Sequence, residues 1–188
     1  MSMSANIEPI LTVAALDSLP DDGNRYELFE GELFVSRAPG ILHQRVLGNL
    51  HAILRAYLEH SPIGEVLLTP GVIFDDFNSA IPDAVFISNQ HMSEIISGER
   101  IAGAPELVIE IVSPGRENAR RDREVKRQVY SKYGVKEYWI ADPEMRAVEV
   151  YRLRRHALKL VATLIDEDEL TTPILPGFKC RISQIFGK

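Results

Sequence analysis

Four side chains stand where the hydrophobic pattern calls for apolar ones, and their types and spacing could do chemistry. Glu110 interrupts Leu107-Val108-Ile109-Glu110-Ile111-Val112, a run with the near-continuous apolar character of a strand buried on both faces. Asp83 follows Pro82 and opens Asp83-Ala84-Val85-Phe86-Ile87, a similar run. Acids are rarely buried unless paired or bound to metal. Two acids on two strands can share one divalent cation, and hard carboxylate oxygens favour Mg²⁺, Mn²⁺ or Ca²⁺. On a helical wheel with Asp122 at zero, Val125, Val129 and Tyr133 fall at about −60°, −20° and +20° and Lys126 at about +40°. Lys126 therefore faces the sheet and needs a carboxylate partner. His43 lies about 60° from Val46 in the apolar stripe of an earlier helix, in its first turn, where a histidine serves as ligand or proton carrier. Each has a plainer reading: Asp83 as a turn residue after proline, Lys126 snorkelling to the helix edge, His43 as a hydrogen-bonded core or capping residue. Together they make a metal site plus a cation, the equipment of phosphodiester hydrolysis. There the metal lowers the pKa of an attacking water and the lysine orients it or neutralises phosphate charge.

The elements that must position these residues follow from periodicity and turn chemistry. A short helix runs from a Thr12 cap to Leu16, and Tyr26 to Ser36 reads as two strands joined at Glu30-Gly31. A long helix spans about Leu42 to Glu59, with Val46, Leu47, Leu50, Ile53, Leu54, Tyr57 and Leu58 as its stripe. Strands are expected at Glu65 to Phe74, Ala84 to Ile87 and Glu106 to Val112. A helix at Asn118 to Lys132 stops at Gly134. A strand at Lys136 to Ala141, a hairpin of Ala147 to Leu153 with Ala157 to Leu164, and a short helix at Ile182 to Phe186 complete the series. The expected fold class is α/β (mixed α+β): a mixed sheet flanked by helices, with an added β-hairpin.

Composition bounds the rest. The chain has 188 residues, 45% apolar and 26% charged, enough for one domain with a full core. One domain over 1–188 is expected, with an N-terminal helix and hairpin (1–37), a core (38–143) and a C-terminal hairpin and tail (144–188). No apolar run approaches the roughly 20 residues of a membrane span, and Met1 to Pro9 lacks the pattern of a secretion signal. Cys180 is the one cysteine, so disulfides and Cys-rich zinc sites are excluded, and a cytoplasmic location is expected. A net charge of −6 argues against a surface that coats nucleic acid throughout, but leaves room for a local basic face. Arg116, Arg120, Arg121 and Arg123 form one basic cluster beside acids, and Arg152, Arg154, Arg155 and Lys159 another.

Several segments resemble the Uma2 family (DUF820): Tyr26-Glu27-Leu28-Phe29-Glu30-Gly31-Glu32-Leu33, His43-Gln44-Arg45, Ile81-Pro82-Asp83, Pro105-Glu106 through Ser113-Pro114, Asp122 with Lys126 and Tyr130, and above all Gly134-Val135-Lys136-Glu137-Tyr138-Trp139-Ile140-Ala141-Asp142-Pro143. They occur in order, at family spacing, over nearly the whole chain. The resemblance implies a restriction-endonuclease-like PD-(D/E)xK core of helix, three strands, helix and strand. It implies that Pro82-Asp83 is the PD motif and Glu110 the next acid. The lysine two residues beyond that acid is absent, Val112 standing there. In this family it is taken to have moved to the following helix, where Lys126 matches. His43 corresponds to the family's histidine. Glu27 and Glu32 also match, but a hairpin edge explains both without chemistry. Glu137 and Trp139 are expected to support the fold or an interface.

The leading expectation is a divalent-metal-dependent endonuclease acting on DNA, with Asp83 and Glu110 on Mg²⁺ (or Mn²⁺), Lys126 and His43 completing the catalytic set, and Arg116, Arg120, Arg121 and Arg123 meeting phosphates. Cutting a duplex with one small site per chain favours a homodimer; no membrane partner is expected. The alternatives are a non-catalytic binding or assembly protein that keeps the nuclease fold, and a metal-assisted hydrolase of a small phosphate compound. Fold alone does not choose among them.

Overall fold

In the computed structural model, which describes residues 10–187, the chain builds two six-stranded mixed sheets with helices packed against them. Met1 to Pro9, read above for a secretion signal, lie outside the described residues. The elements are α1 (Val13–Leu16), β1 (Arg25–Phe29), β2 (Glu32–Ser36), α2 (Ile41–His60), β3 (Gly64–Leu68), β4 (Val72–Asp75), β5 (Asn78–Ala80), β6 (Ala84–Ser88), α3 (Asn89–Ile95), β7 (Ile96–Ser97), β8 (Arg100–Ala102) and β9 (Leu107–Ile111). Then follow α4 (Arg116–Arg120), a π-helical turn (Arg121–Lys126), α5 (Arg127–Tyr133), β10 (Glu137–Asp142), β11 (Ala147–Arg154), β12 (Ala157–Ile165), β13 (Glu169–Leu170), β14 (Cys180–Arg181) and α6 (Ile182–Phe186).

The central sheet has the order β12-β11-β10-β9-β6-β3, with β9 and β10 parallel and β6 antiparallel to β9. The expected single strand from Glu65 to Phe74 is in fact β3 and β4, in different sheets. Pro70 brings no N–H to a ladder, and Thr69 turns at φ 48°. That break sends β4 into the second sheet, β2-β1-β5-β4-β8-β7.

Every residue of β9 is buried. Leu107, Ile109 and Ile111 pack with Val46, Leu47, Leu50 and Leu54 of α2, while Val108 and Val112 pack with Val129 and Tyr130 of α5. Strand alternation puts Glu110 on the α5 face with Val108 and Val112. Ala84 pairs with Ile109, so one further step of the antiparallel register sets Asp83 opposite Glu110. Asp83 shares parity with Val85 and Ile87, which also pack toward α5. Two acids on neighbouring strands thus face the same helix.

Candidate active site

The helix carrying Lys126 is wider than a plain α-helix at the point that matters. Between α4 and α5 the segment Arg121–Lys126 takes the i→i+5 pattern, a form that recurs at functional sites. The Tyr138 hydroxyl donates to the Asp122 carbonyl in this turn at 3.1 Å. Asp122 and Lys126 are its two buried residues. The Lys126 ammonium lies 2.9 Å from Glu110 Oε1, 3.0 Å from Glu27 Oε1 and 3.9 Å from Asp122 Oδ1. The partner that the helical wheel demanded is therefore Glu110, and a second is Glu27, which also accepts from the Ile81 N–H at 3.0 Å. The Tyr130 hydroxyl donates to the same Glu110 Oε1 at 2.7 Å.

Asp83 is held from three sides. Its Oδ2 accepts from the Ile111 N–H at 2.8 Å and meets His43 Nε2 at 3.0 Å, and its Oδ1 accepts from Arg25 Nη1 at 3.2 Å. An ionised carboxylate only accepts, so the His43 proton is assigned to Nε2 by this contact. Burial works against the Asp83 charge. The hydrogen bond from His43, the Ile111 N–H and Lys126 outweigh it and hold its pKa below the ordinary value. Glu110 goes the other way. Burial is the main cause, and the negative charges of Asp83, Asp122 and Glu27 add to it, so its carboxyl titrates well above the usual range despite Lys126. Asp122 is raised for the same first reason. Lys126 is raised: burial opposes its charge, but Glu110, Glu27 and Asp122 overcome that.

All four sequence-derived residues, His43, Asp83, Glu110 and Lys126, line one small polar cavity of about 30 Å³ with Arg25, Glu27, Arg121 and Asp122. Sequence reasoning set Glu27 aside as a hairpin-edge residue; it is 2% exposed and part of the cluster, whereas Glu32 is exposed. The sign missed was the contrast between the two on one hairpin: Glu27 sits in Tyr26-Glu27-Leu28-Phe29, whose last three residues are buried where β1 lies inside the second sheet between β2 and β5. Arg25 was also missed. Of the basic cluster expected to meet phosphates, Arg120 pairs with Glu117 and Glu124, Arg121 stands 3.8 Å from Asp122, and Arg123 is fixed by Glu149 at 2.7 Å and Asp142 at 2.8 Å. Arg116 has no ion pair among the described residues. Trp139 is fully buried and donates to Glu137, which also accepts from Arg152 at 2.8 Å, a contact at the far end of β10 that braces the sheet.

The donor set fits a hard cation. Four buried carboxylates (Glu27, Asp83, Glu110, Asp122) meet three fixed cations (Arg25, Arg121, Lys126) around the cavity. Asp122 Oδ1 and His43 Nδ1 are buried there without a hydrogen-bond partner and can meet a cation or its waters, whereas the equally unpartnered Arg121 Nε–H is a donor and calls for an anion or water. Among the described residues no three His, Cys, Asp or Glu side chains gather into a protein cage for a metal. Mg²⁺ does not ask for one, since it binds through one or two carboxylates and keeps its waters.

A buried Asp–Glu–Lys set thus lies on the central mixed sheet, with a helix packed on each face. The chain belongs to the Uma2 family, whose model, described as "Putative restriction endonuclease", matches residues 13–183. Its fold is that of a solved structure described as a putative nuclease belonging to DUF820 from Anabaena variabilis. The two superpose with a TM-score of 0.76 at 19% identity, over 94% of this chain and 97% of the other. No curated protein matches the chain. No helix among the described residues is long and apolar enough to cross a membrane.

Proposed function

We propose that the protein is a divalent-metal-dependent nuclease that hydrolyses phosphodiester bonds in DNA. One observation carries the reading: Lys126, buried, is aimed between Glu110 and Glu27 on the same face as Asp83, around a small polar cavity. Asp83 and Glu110 would hold Mg²⁺ or Mn²⁺. When bound, that ion supplies Lewis acidity and a lowered water pKa. Lys126, with its pKa raised by three carboxylates, stays charged at every working pH. It therefore acts as a hydrogen-bond donor and positive charge toward water or phosphate, and is not the base. His43 lines the cavity with Nε2 engaged by Asp83 and a buried Nδ1 that has no partner, so it is the side chain equipped to accept a proton. Glu27 and Tyr130 position Lys126 and Glu110.

A second reading has one observation in its favour. The Lys126 pairs and the Tyr130 hydrogen bond already satisfy Glu110 Oε1, as they would in a binding protein that keeps the fold without the chemistry. Incubation of supercoiled plasmid and single-stranded DNA with Mg²⁺, Mn²⁺ or EDTA separates the two. Metal-dependent cutting by the wild type that disappears in Glu110→Gln supports the nuclease. Folded wild type that binds DNA and cuts nothing supports the second reading.

A further inference from the structure

The positive charge available to a polyanion is not where the basic residues are densest. Arg120 and Arg123 are engaged by acids of their own surroundings, and Arg121 is turned into the cavity, 3.8 Å from Asp122. Arg154, Arg155 and Lys159 lie at the other end of the central sheet. Glu110 is level with Ile140 and Glu149 across the ladder, and Arg154 lies five strand residues farther, about 17 Å away. By contrast, from Leu33 to Leu58 this acidic chain has no Asp or Glu at all, and it has Arg37, Arg45 and Arg55. That stretch contains all of α2 but its last two residues, Glu59 and His60, with the exposed Glu59 at the far end of the same face. None of the three arginines has an ion pair among the described residues, and all three are exposed.

On α2 the exposed face is well defined. With Arg45 at zero, Ile41, Gly48, Ala52 and Arg55 fall at about −40°, −60°, −20° and −80°, opposite the buried Val46, Leu50 and Leu54. A Cβ added to Gly48 would touch nothing within 4 Å, so packing within this chain does not require glycine there, although glycine weakens the helix. The face between the arginines is smooth and open to close approach. The α2 N-terminus abuts the candidate site. Arg37, Pro39 and His43 line its cavity. Gly40 caps the helix without a side-chain hydrogen bond, and the first turn has no acid. His43 Nδ1, on a side chain 6% exposed, is unpartnered. The N-terminal N–H groups and the helix dipole favour an anion at that point. Ile41 and Leu42 are 75% and 51% exposed at the same lip, the kind of apolar side chain that wedges against base steps.

We propose that a nucleic-acid strand leaves the candidate site along the outer face of α2, with one phosphate at the α2 N-terminus beside Arg37 and later ones on Arg45 and Arg55. This rests on the phosphodiester reading given above. Ten helical residues separate Arg45 from Arg55, about 15 Å, or roughly four to five nucleotides of one strand of a duplex.

The test is fluorescence anisotropy of a short labelled DNA duplex and of its single strand, in EDTA, over a salt series, with anionic lipid vesicles as a separate probe. Arg45→Ala with Arg55→Ala removes two exposed side chains that the fold does not use. The slope of log K against log[salt] for the duplex should fall by about 1.8 in magnitude. Arg120→Ala, paired in the free protein, should leave the slope unchanged. Gly48→Gln should weaken binding while raising Tm, a combination that a purely structural role does not produce. Wild-type binding with an undiminished slope in the double variant would overturn the α2 surface and leave the nuclease reading standing. Absence of binding to either DNA, or binding to vesicles alone, would overturn the α2 surface, while the metal-dependent cleavage assay decides the nuclease reading on its own.

Discussion

Replacing Lys126 with methionine keeps the packed stem and removes the charge, so it isolates what the ammonium does. Lys126, Glu27 and Glu110 have side chains 3 to 4% exposed. Without the lysine, Arg25 and Arg121 alone face Glu27, Asp83, Glu110 and Asp122. Removing one partner of a buried ion pair costs about 3–5 kcal/mol, because the other is left uncompensated. At a urea m-value of roughly 2 kcal/mol/M, that moves the midpoint by about 2 M. The pH dependence follows from the sign of the shifts. Burial already holds Glu110 and Asp122 above their ordinary values, and loss of the lysine raises them further. A carboxyl with a raised folded pKa costs nothing below its unfolded value of about 4 and penalises the fold as pH climbs through the folded one. Glu110 is held at about 8 in the wild type and higher in the variant, so the deficit of Lys126→Met should grow as pH rises past about 8 and be larger at pH 9 than at pH 6. Urea melts of wild type and variant at both values measure it. A deficit under about 1 kcal/mol at pH 9, or one that shrinks as pH rises, would refute the argument that Lys126 is the main compensating charge.

Tyr130→Phe removes the 2.7 Å hydrogen bond to Glu110 while Lys126 remains; a loss of about 1.5 kcal/mol is expected from the same melts. Arg123→Ala breaks contacts to Glu149 and Asp142 and should cost about 2 kcal/mol at neutral pH. Burial opposes the Asp142 charge, but the Arg123 hydrogen bond and the Met145 and Glu144 N–H groups hold its pKa down. That contribution is present above the unfolded value of about 4 and is lost as pH falls through the folded one, so the Arg123→Ala deficit should narrow below pH ~4. The Cys180 thiol is pushed up to about 11 by burial; native protein at pH 8 should resist a thiol reagent that reacts at once in urea.

The candidate site was legible where a charge broke an apolar pattern. Glu110 in mid-strand, Lys126 within a helical stripe and His43 beside Val46 each violated a period, and the structure gathers all three with Asp83. Glu27 was not legible, because a strand of a short hairpin alternates polar and apolar residues whether or not a distant helix, here the one carrying Lys126, later closes on its polar side. The π-helical turn leaves no compositional trace, yet it is where Asp122 and Lys126 are set. The long helix, β9, β10 and the β11–β12 hairpin follow directly from periodicity. β5, α3, β7, β8, β13 and β14 do not, since they are short and depend on partners distant in sequence. α3 is a polar run started by the Ser88 hydroxyl, which accepts from the His91 N–H at 3.3 Å, and capping of this kind does not reveal itself without the preceding strand. The basic cluster after Pro114 misled for a physical reason: density of arginine says nothing about charge left over once neighbouring acids have closed on it.

The claim that most needs testing is that Asp83 and Glu110 hold a divalent cation. Isothermal titration of Mn²⁺ into wild type and Asp83→Asn, near pH 7 in two buffers of different ionisation enthalpy, addresses it directly. The account predicts one Mn²⁺ per wild-type chain with release of protons, because Glu110 and Asp122 titrate above their ordinary range and a bound cation expels what they hold. Asp83→Asn should bind much more weakly. No Mn²⁺ uptake by folded wild type, or equal uptake by Asp83→Asn, would contradict it.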